Sequence, residues 1–116
     1  LLREYEVTII AKADLPDGER AKVLEGYEAI MKKDGGEILK KDDWGTKKMA
    51  YPINKQFRGH YVFYTLAGAP EHLTEAQRLF RFDDNILRYL VVKAADQVDI
   101  ATRKEQLAKE RVAVEE

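Results

Sequence analysis

The chain has 116 residues, 45% of them hydrophobic and 35% charged, which suits one domain with a modest core and at most one appendage. No run approaches the roughly 18 apolar residues of a membrane helix. The absence of cysteine excludes disulfides, thiolate zinc sites and a cysteine nucleophile, and fits a reducing cytoplasm.

The formal net charge of −1 argues against nucleic acid only as a total, because the charge is unevenly spread. Between positions 40 and 58, Lys40, Lys41, Lys47, Lys48, Lys55 and Arg58 face only Asp42 and Asp43. From position 96 onward six acidic residues outweigh four basic ones. The sign of a patch, rather than the sum, decides contact with phosphate.

The opening Leu1-Leu2-Arg3-Glu4 runs straight into a strand pattern and has no signal-peptide core; without an initiator methionine, a trimmed leader stays open. Residues 2–11 read as a strand, with Tyr5, Val7 and Ile9 alternating with Glu4, Glu6 and Thr8. Lys12 to Gly18 is a turn that starts a helix, in which Val23, Tyr27, Ile30 and Met31 share one stripe and Gly35-Gly36 is the stop. A second strand begins at Ile38-Leu39 and resumes from Thr46 to Ala50, with a bulge expected at Asp43-Trp44-Gly45. Tyr51-Pro52-Ile53 does not read as a regular central strand, since proline has no ladder N–H. Asn54 to Gly59 reads as a hairpin tip, and His60 to Leu66 as a third strand. Ala69-Pro70 opens a second helix with Leu73, Ala76, Leu79 and Phe80 as its buried stripe; Asp83-Asp84-Asn85 is a turn, and Ile86 to Lys93 a fourth strand.

The order β-α-β-β-α-β predicts an α+β ferredoxin-like sandwich: a four-stranded antiparallel sheet with two helices on one face and the other face open. It occupies 1–95. Residues 96–116 form a separate charged helical tail, in which Ile100, Leu107 and Val114 recur every seven residues and Asp99–Arg103 and Glu105–Lys109 are i,i+4 pairs. So sparse a stripe leaves the tail helix marginal on its own.

Catalysis needs a constellation that the sequence does not offer. His60 and His72 lack a partnered acid and nucleophile, and no H-x-x-x-H spacing suggests a metal. Asp42-Asp43 and Asp83-Asp84 are better read as strand and turn residues than as acid/base couples. Gly35-Gly36 lacks the context of a phosphate loop. Binding remains. Lys47 and Lys48 point to opposite faces of a strand, Lys55 and Arg58 flank Phe57, and Arg81, Phe82, Asn85, Arg88 and Tyr89 gather about the end of the second helix. Cations beside aromatics suit phosphates and unpaired bases. Lysines that protect a sheet edge from aggregation would look the same, and pattern alone leaves both open.

The stretch Asp43-Trp44-Gly45-Thr46-Lys47-Lys48-Met49-Ala50-Tyr51-Pro52-Ile53-Asn54-Lys55 closely resembles the signature of the bacterial family of the sixth small-subunit ribosomal protein. The likeness continues through His60-Tyr61-Val62-Phe63-Tyr64, through the run from Leu79 to Lys93, and into the opening Arg3-Glu4-Tyr5-Glu6-Val7, covering about residues 2–94. The resemblance implies a ferredoxin-like fold, a structural role in the cytoplasmic ribosome, no enzymatic activity, and no cofactor, metal, membrane or small-molecule substrate. It further implies binding to the central domain of 16S ribosomal RNA together with small-subunit ribosomal protein eighteen. By position it marks Lys47, Lys48, Tyr51, Pro52, Lys55, Arg81, Asn85, Arg88 and Lys93 as RNA or partner contacts, with Arg3 as a further one. Arg58 joins them on charge pattern alone. No family role transfers to the tail, whose acidic balance suggests docking on the partner or another ribosomal surface.

A free-standing RNA-recognition domain of the same element order is the alternative. Its third-strand motif wants an aromatic directly after the glycine, where Arg58-Gly59-His60 has histidine.

Overall fold

The computed structural model describes residues 2–115, with side chains through Lys109. Strand β1 (Arg3–Lys12) is followed by helix α1 (Asp17–Met31), strands β2 (Glu37–Ile53) and β3 (Gln56–Gly68), helix α2 (Pro70–Phe82), strand β4 (Ile86–Ala95) and helix α3 (Ile100–Glu115). The sheet order is β2-β3-β1-β4, with every neighbouring pair antiparallel. This is the ferredoxin-like arrangement expected from the element order.

Alternation in β1 puts Tyr5, Val7, Ile9 and Ala11 under the helices, where they meet Val62, Tyr64 and Leu66 of β3. The helices close this core with Leu24, Tyr27 and Met31 from α1 and Leu73, Ala76 and Phe80 from α2. Phe80 links the layers, its ring lying 4.5 Å from that of Tyr27 and 5.2 Å from that of Tyr89. Tyr27 donates a 2.5 Å hydrogen bond to Asp83, and Tyr64 one of 2.9 Å to Glu28. Burial, reinforced by these carboxylates, raises both phenols well above their ordinary value.

Four readings of the sequence need correction. α1 ends at Met31, before the glycines; Lys33–Gly35 is a separate 3-10 turn, and Asp34 and Gly35 carry the positive φ. The α1 stripe includes Leu24, and Leu79 of α2 is only partly buried against the core. β2 continues through Pro52 to Ile53, because the register with β3 skips residues 49–52 and a missing N–H there costs no ladder bond. The hairpin tip is two residues, Asn54 and Lys55, so that Gln56 to Gly59 belong to β3. The bulge is where it was expected: register slips between Asp43 and Gly45, with Gly45 at φ 77°.

The tail helix is led in by Asp99, whose backbone carbonyl accepts from Arg103 N at 2.9 Å. Its first turns return to the chain's own sheet through ion pairs from Arg103 to Glu4 and from Lys104 to Glu37. One end of the face opposite the core is therefore covered. Val112 and Val114 of the tail stripe lie outside the described side chains.

Candidate nucleic-acid interface

Registers divide the marked residues between two ends of the sheet. Lys12 of β1 pairs with Gly59 of β3, and Gly59 with Lys47 of β2; Lys12 N also donates to the Asn85 carbonyl at 2.9 Å. The end of β1, the β2–β3 hairpin and the α2–β4 turn therefore meet at one corner. Lys47, Lys48, Tyr51, Pro52, Lys55, Arg58, Arg81, Asn85 and Arg88 all belong to it. Arg3 and Lys93 stand at the opposite end, where β1 begins and β4 finishes.

Within the corner, Lys48 lies directly opposite Arg58 in the β2–β3 ladder, and both are exposed. Like charges in that position repel. Among the described residues neither forms a salt bridge, nor do Lys47, Lys55 or Arg81. Acidic neighbours elsewhere on β2 are occupied: Lys40 sits 3.5 Å from Asp42, and Asp43 accepts from Gly45 N at 2.9 Å. Packing thus leaves a group of cations without internal counter-charges.

The hairpin tip adds backbone strain. Asn54 (φ 49°) and Lys55 (φ 64°) are both left-handed, as a two-residue hairpin turn of this hand demands. Asparagine tolerates this; lysine does so at a cost, and glycine is the usual occupant of the second position. The tip projects Lys55 outward beside a shallow cleft lined by Asn54, Arg81, Asp84, Leu87, Arg88 and Tyr89. Arg88, on the open face, donates to the Tyr51 hydroxyl and lies 5.7 Å from that ring. This contact orients the hairpin over the sheet, where Tyr51 and Ile53 join Ile10, Met49 and Tyr61 around a second hollow.

Asp83 is committed to the turn, accepting from Tyr27 and from Asn85 N at 2.9 Å. His60 is buried at 6% exposure, with Nε2 2.7 Å from Asp43 Oδ1. That spacing is an ion-pair distance, but the ring N–H is misaligned for a hydrogen bond. His72 pairs with Asp34 at 2.6 Å and ties α2 to the 3-10 turn. Both histidines thus serve strand and turn packing.

Sequence reasoning passed over Trp44 and Phe63. Phe63 occupies an alternate, open-face position of β3, and Trp44 at the bulge stacks on it at 4.6 Å while remaining 55% exposed. Lys47 Nζ caps the indole at 4.3 Å. The available signal was the period-2 alternation Tyr61–Phe63, in a strand whose aromatics fall on both faces. His60 faces the helices, so the position after Gly59 offers no ring to the open face, against the RNA-recognition alternative.

The fold is a ferredoxin-like α+β domain whose cationic corner carries no internal counter-charge among the described residues. The model of the ribosomal protein S6 family matches residues 4–93. A small ribosomal subunit protein bS6 of Desulforapulum autotrophicum is 38% identical over 115 residues, covering 99% of this chain and 74% of the relative. That of Caldanaerobacter subterraneus is 36% identical over 95 residues, covering 82% of this chain and 100% of the relative. The crystal structure of ribosomal protein S6 from Thermotoga maritima superposes with a TM-score of 0.74 at 26% identity, covering 94% of this chain and 99% of that one. The chain belongs to the ribosomal protein S6 family. Its class is therefore a structural protein of the small subunit on the cytoplasmic ribosome, and not an enzyme.

Proposed function

We propose that this chain binds the central domain of 16S ribosomal RNA jointly with small-subunit ribosomal protein eighteen, using the corner at Lys48, Lys55, Arg58 and Arg81 for phosphates. The observation that carries this reading is the Lys48–Arg58 cross-strand pair without a counter-charge, next to a strained Lys55. Repulsion and strain in one place lower the stability of the free chain, and a polyanion relieves the repulsion. Lys47, Tyr51, Pro52, Asn85 and Arg88 flank these cations and supply contacts to bases or to the partner, and Arg3 and Lys93 extend the surface at the far end. The division into a core of 1–95 and an extension of 96–116 is part of the proposal, supported by a family match that stops at residue 93.

The test is binding of a central-domain transcript with and without the partner protein. Joint binding should be tight, binding alone weak, and Lys48→Ala/Arg58→Ala should reduce the salt slope by about 1.5 while leaving the fold intact. Tight, sequence-specific binding to single-stranded RNA by the chain alone would overturn the joint mode in favour of a free-standing RNA-recognition domain.

A further inference from the structure

Opposed residues in neighbouring strands share a face, and the registers Glu37↔Ala67, Glu4↔Ala67 and Glu4↔Ala95 define one row across the sheet: Glu37, Ala67, Glu4, Ala95. Two carboxylates flank an alanine that has no exposed surface. Such a row lets a helix approach closely and offers two fixed anionic anchors. α3 lies there. Its consecutive cations divide between the anchors, Arg103 Nε donating to Glu4 Oε1 at 2.8 Å and Lys104 pairing with Glu37. Arg103 is steadied by Gln106 at 3.2 Å. Glu4 is only 7% exposed, so its pair with Arg103 is shielded from salt, whereas Lys104–Glu37 is open to it. Ile100, Arg103 and Leu107 are half-buried along one stripe while Ala101, Lys104 and Ala108 are exposed. The sparse heptad stripe of the tail is thus the docking face.

The link leading into α3 acts on the same end. Asp96 accepts from Lys93 Nζ at 2.5 Å and shares a cleft with Arg3. Lys93, and secondarily Arg3, holds the Asp96 carboxyl below its ordinary range. Lys93, a cation marked for RNA, is therefore paired in cis, and Arg3 shares its cleft with the same carboxylate, in contrast to the uncompensated corner at the other end.

We propose that the C-terminal segment is a cis-acting cover, in which α3 docked on the Glu37–Ala67–Glu4–Ala95 row and Asp96 bound to Lys93 beside Arg3 shield this end of the sheet from RNA until assembly displaces them. Docking stands on the geometry alone; the shielding of RNA contacts rests on the RNA-binding reading. In free protein the cationic corner is the open end of the two marked for RNA, which biases the first encounter to that end. The far end becomes available when the tail leaves.

The experiment uses the full chain with Ile100→Ser/Leu107→Ser, which removes the docking face without altering charge, and with Asp96→Asn added. Amide hydrogen exchange reads docking without RNA. Titration of the central-domain transcript, with partner present, reads shielding. The undocking pair should lose protection along α3 and bind RNA several-fold more tightly; Asp96→Asn should then steepen the salt slope by about 1 as Lys93 is released. The charge swap Glu37→Lys/Lys104→Glu should keep α3 protected where Lys104→Glu alone does not. Lost protection with unchanged affinity and slope would overturn the cover while leaving the RNA-binding reading standing. An α3 already unprotected in the parent chain would overturn docking itself. Binding of the transcript by none of the chains would overturn the RNA-binding reading and the shielding together, with docking still decided by exchange.

Discussion

Lys55 makes a prediction in which stability and binding move in opposite directions. Its φ of 64° costs a non-glycine residue about 1–2 kcal/mol. Glycine removes that penalty but gains about 0.5–1 kcal/mol of unfolded-chain entropy. Lys55→Gly should therefore stabilise the chain by about 0.5–1 kcal/mol, raising Tm by roughly 2–4 °C for a domain of this size. Lys55→Ala keeps the strain and should stay within about 0.5 kcal/mol of the parent. Both remove one exposed cation. Each should lower the slope of log affinity against log salt by about 0.7–0.9, so that about threefold less affinity is lost between 50 and 200 mM salt. Urea unfolding followed by Trp44 fluorescence gives the first quantity, and transcript titration at three salt concentrations the second. A less stable Lys55→Gly chain would refute the strain argument; an unchanged salt slope in both variants would refute the assignment of Lys55 to phosphate.

Core packing and pH give further tests. Leu73, 1% exposed, should cost about 2–5 kcal/mol on truncation to alanine, whereas Leu79, only partly buried, should cost less than half as much; equal losses in urea unfolding would contradict the packing described. Tyr27 and Tyr64 retain their phenolic protons in the folded chain beyond the pH at which an unfolded tyrosine ionises, about 10. The unfolded state then binds fewer protons, so stability is fully present below that pH and falls as pH rises above it. Unfolding midpoints at about pH 9 and pH 11 should show the decline, and Tyr27→Phe or Tyr64→Phe should flatten it.

The element order was legible because the alternation in β1 and the 3.6-residue stripe of α2 each agree with the burial that tertiary packing imposes. Gly45 was legible as a bulge because a glycine amid strand residues has few other uses. Pro52 misled because its cost depends on whether its position is paired in the ladder, which register decides and local sequence does not. The end of α1 was misplaced because Asp34 takes the left-handed conformation that glycine usually supplies.

In the candidate site, the cations were visible as charge, but their juxtaposition was not. Lys48 faces Arg58 because the β2–β3 register shifts at several points along the ladder, the bulge at Asp43–Gly45 among them, and a register shift leaves no mark on residue spacing. Trp44 and Phe63 were hidden for the related reason that an aromatic in a strand looks the same on either face. The Arg103–Glu4 pair joins residues 99 positions apart, beyond any local pattern. Docking of the tail could be read only from the folded chain.

Competitive reconstitution puts the RNA-binding corner to the most direct test. Equal amounts of parent chain and Lys48→Ala/Arg58→Ala/Arg81→Ala chain would be mixed with 16S ribosomal RNA and the remaining small-subunit proteins, and the particles weighed for each form by mass spectrometry. The parent chain should dominate the particles, and its advantage should shrink as salt rises. Equal occupancy by a variant that unfolds like the parent would contradict the assignment of this corner to RNA.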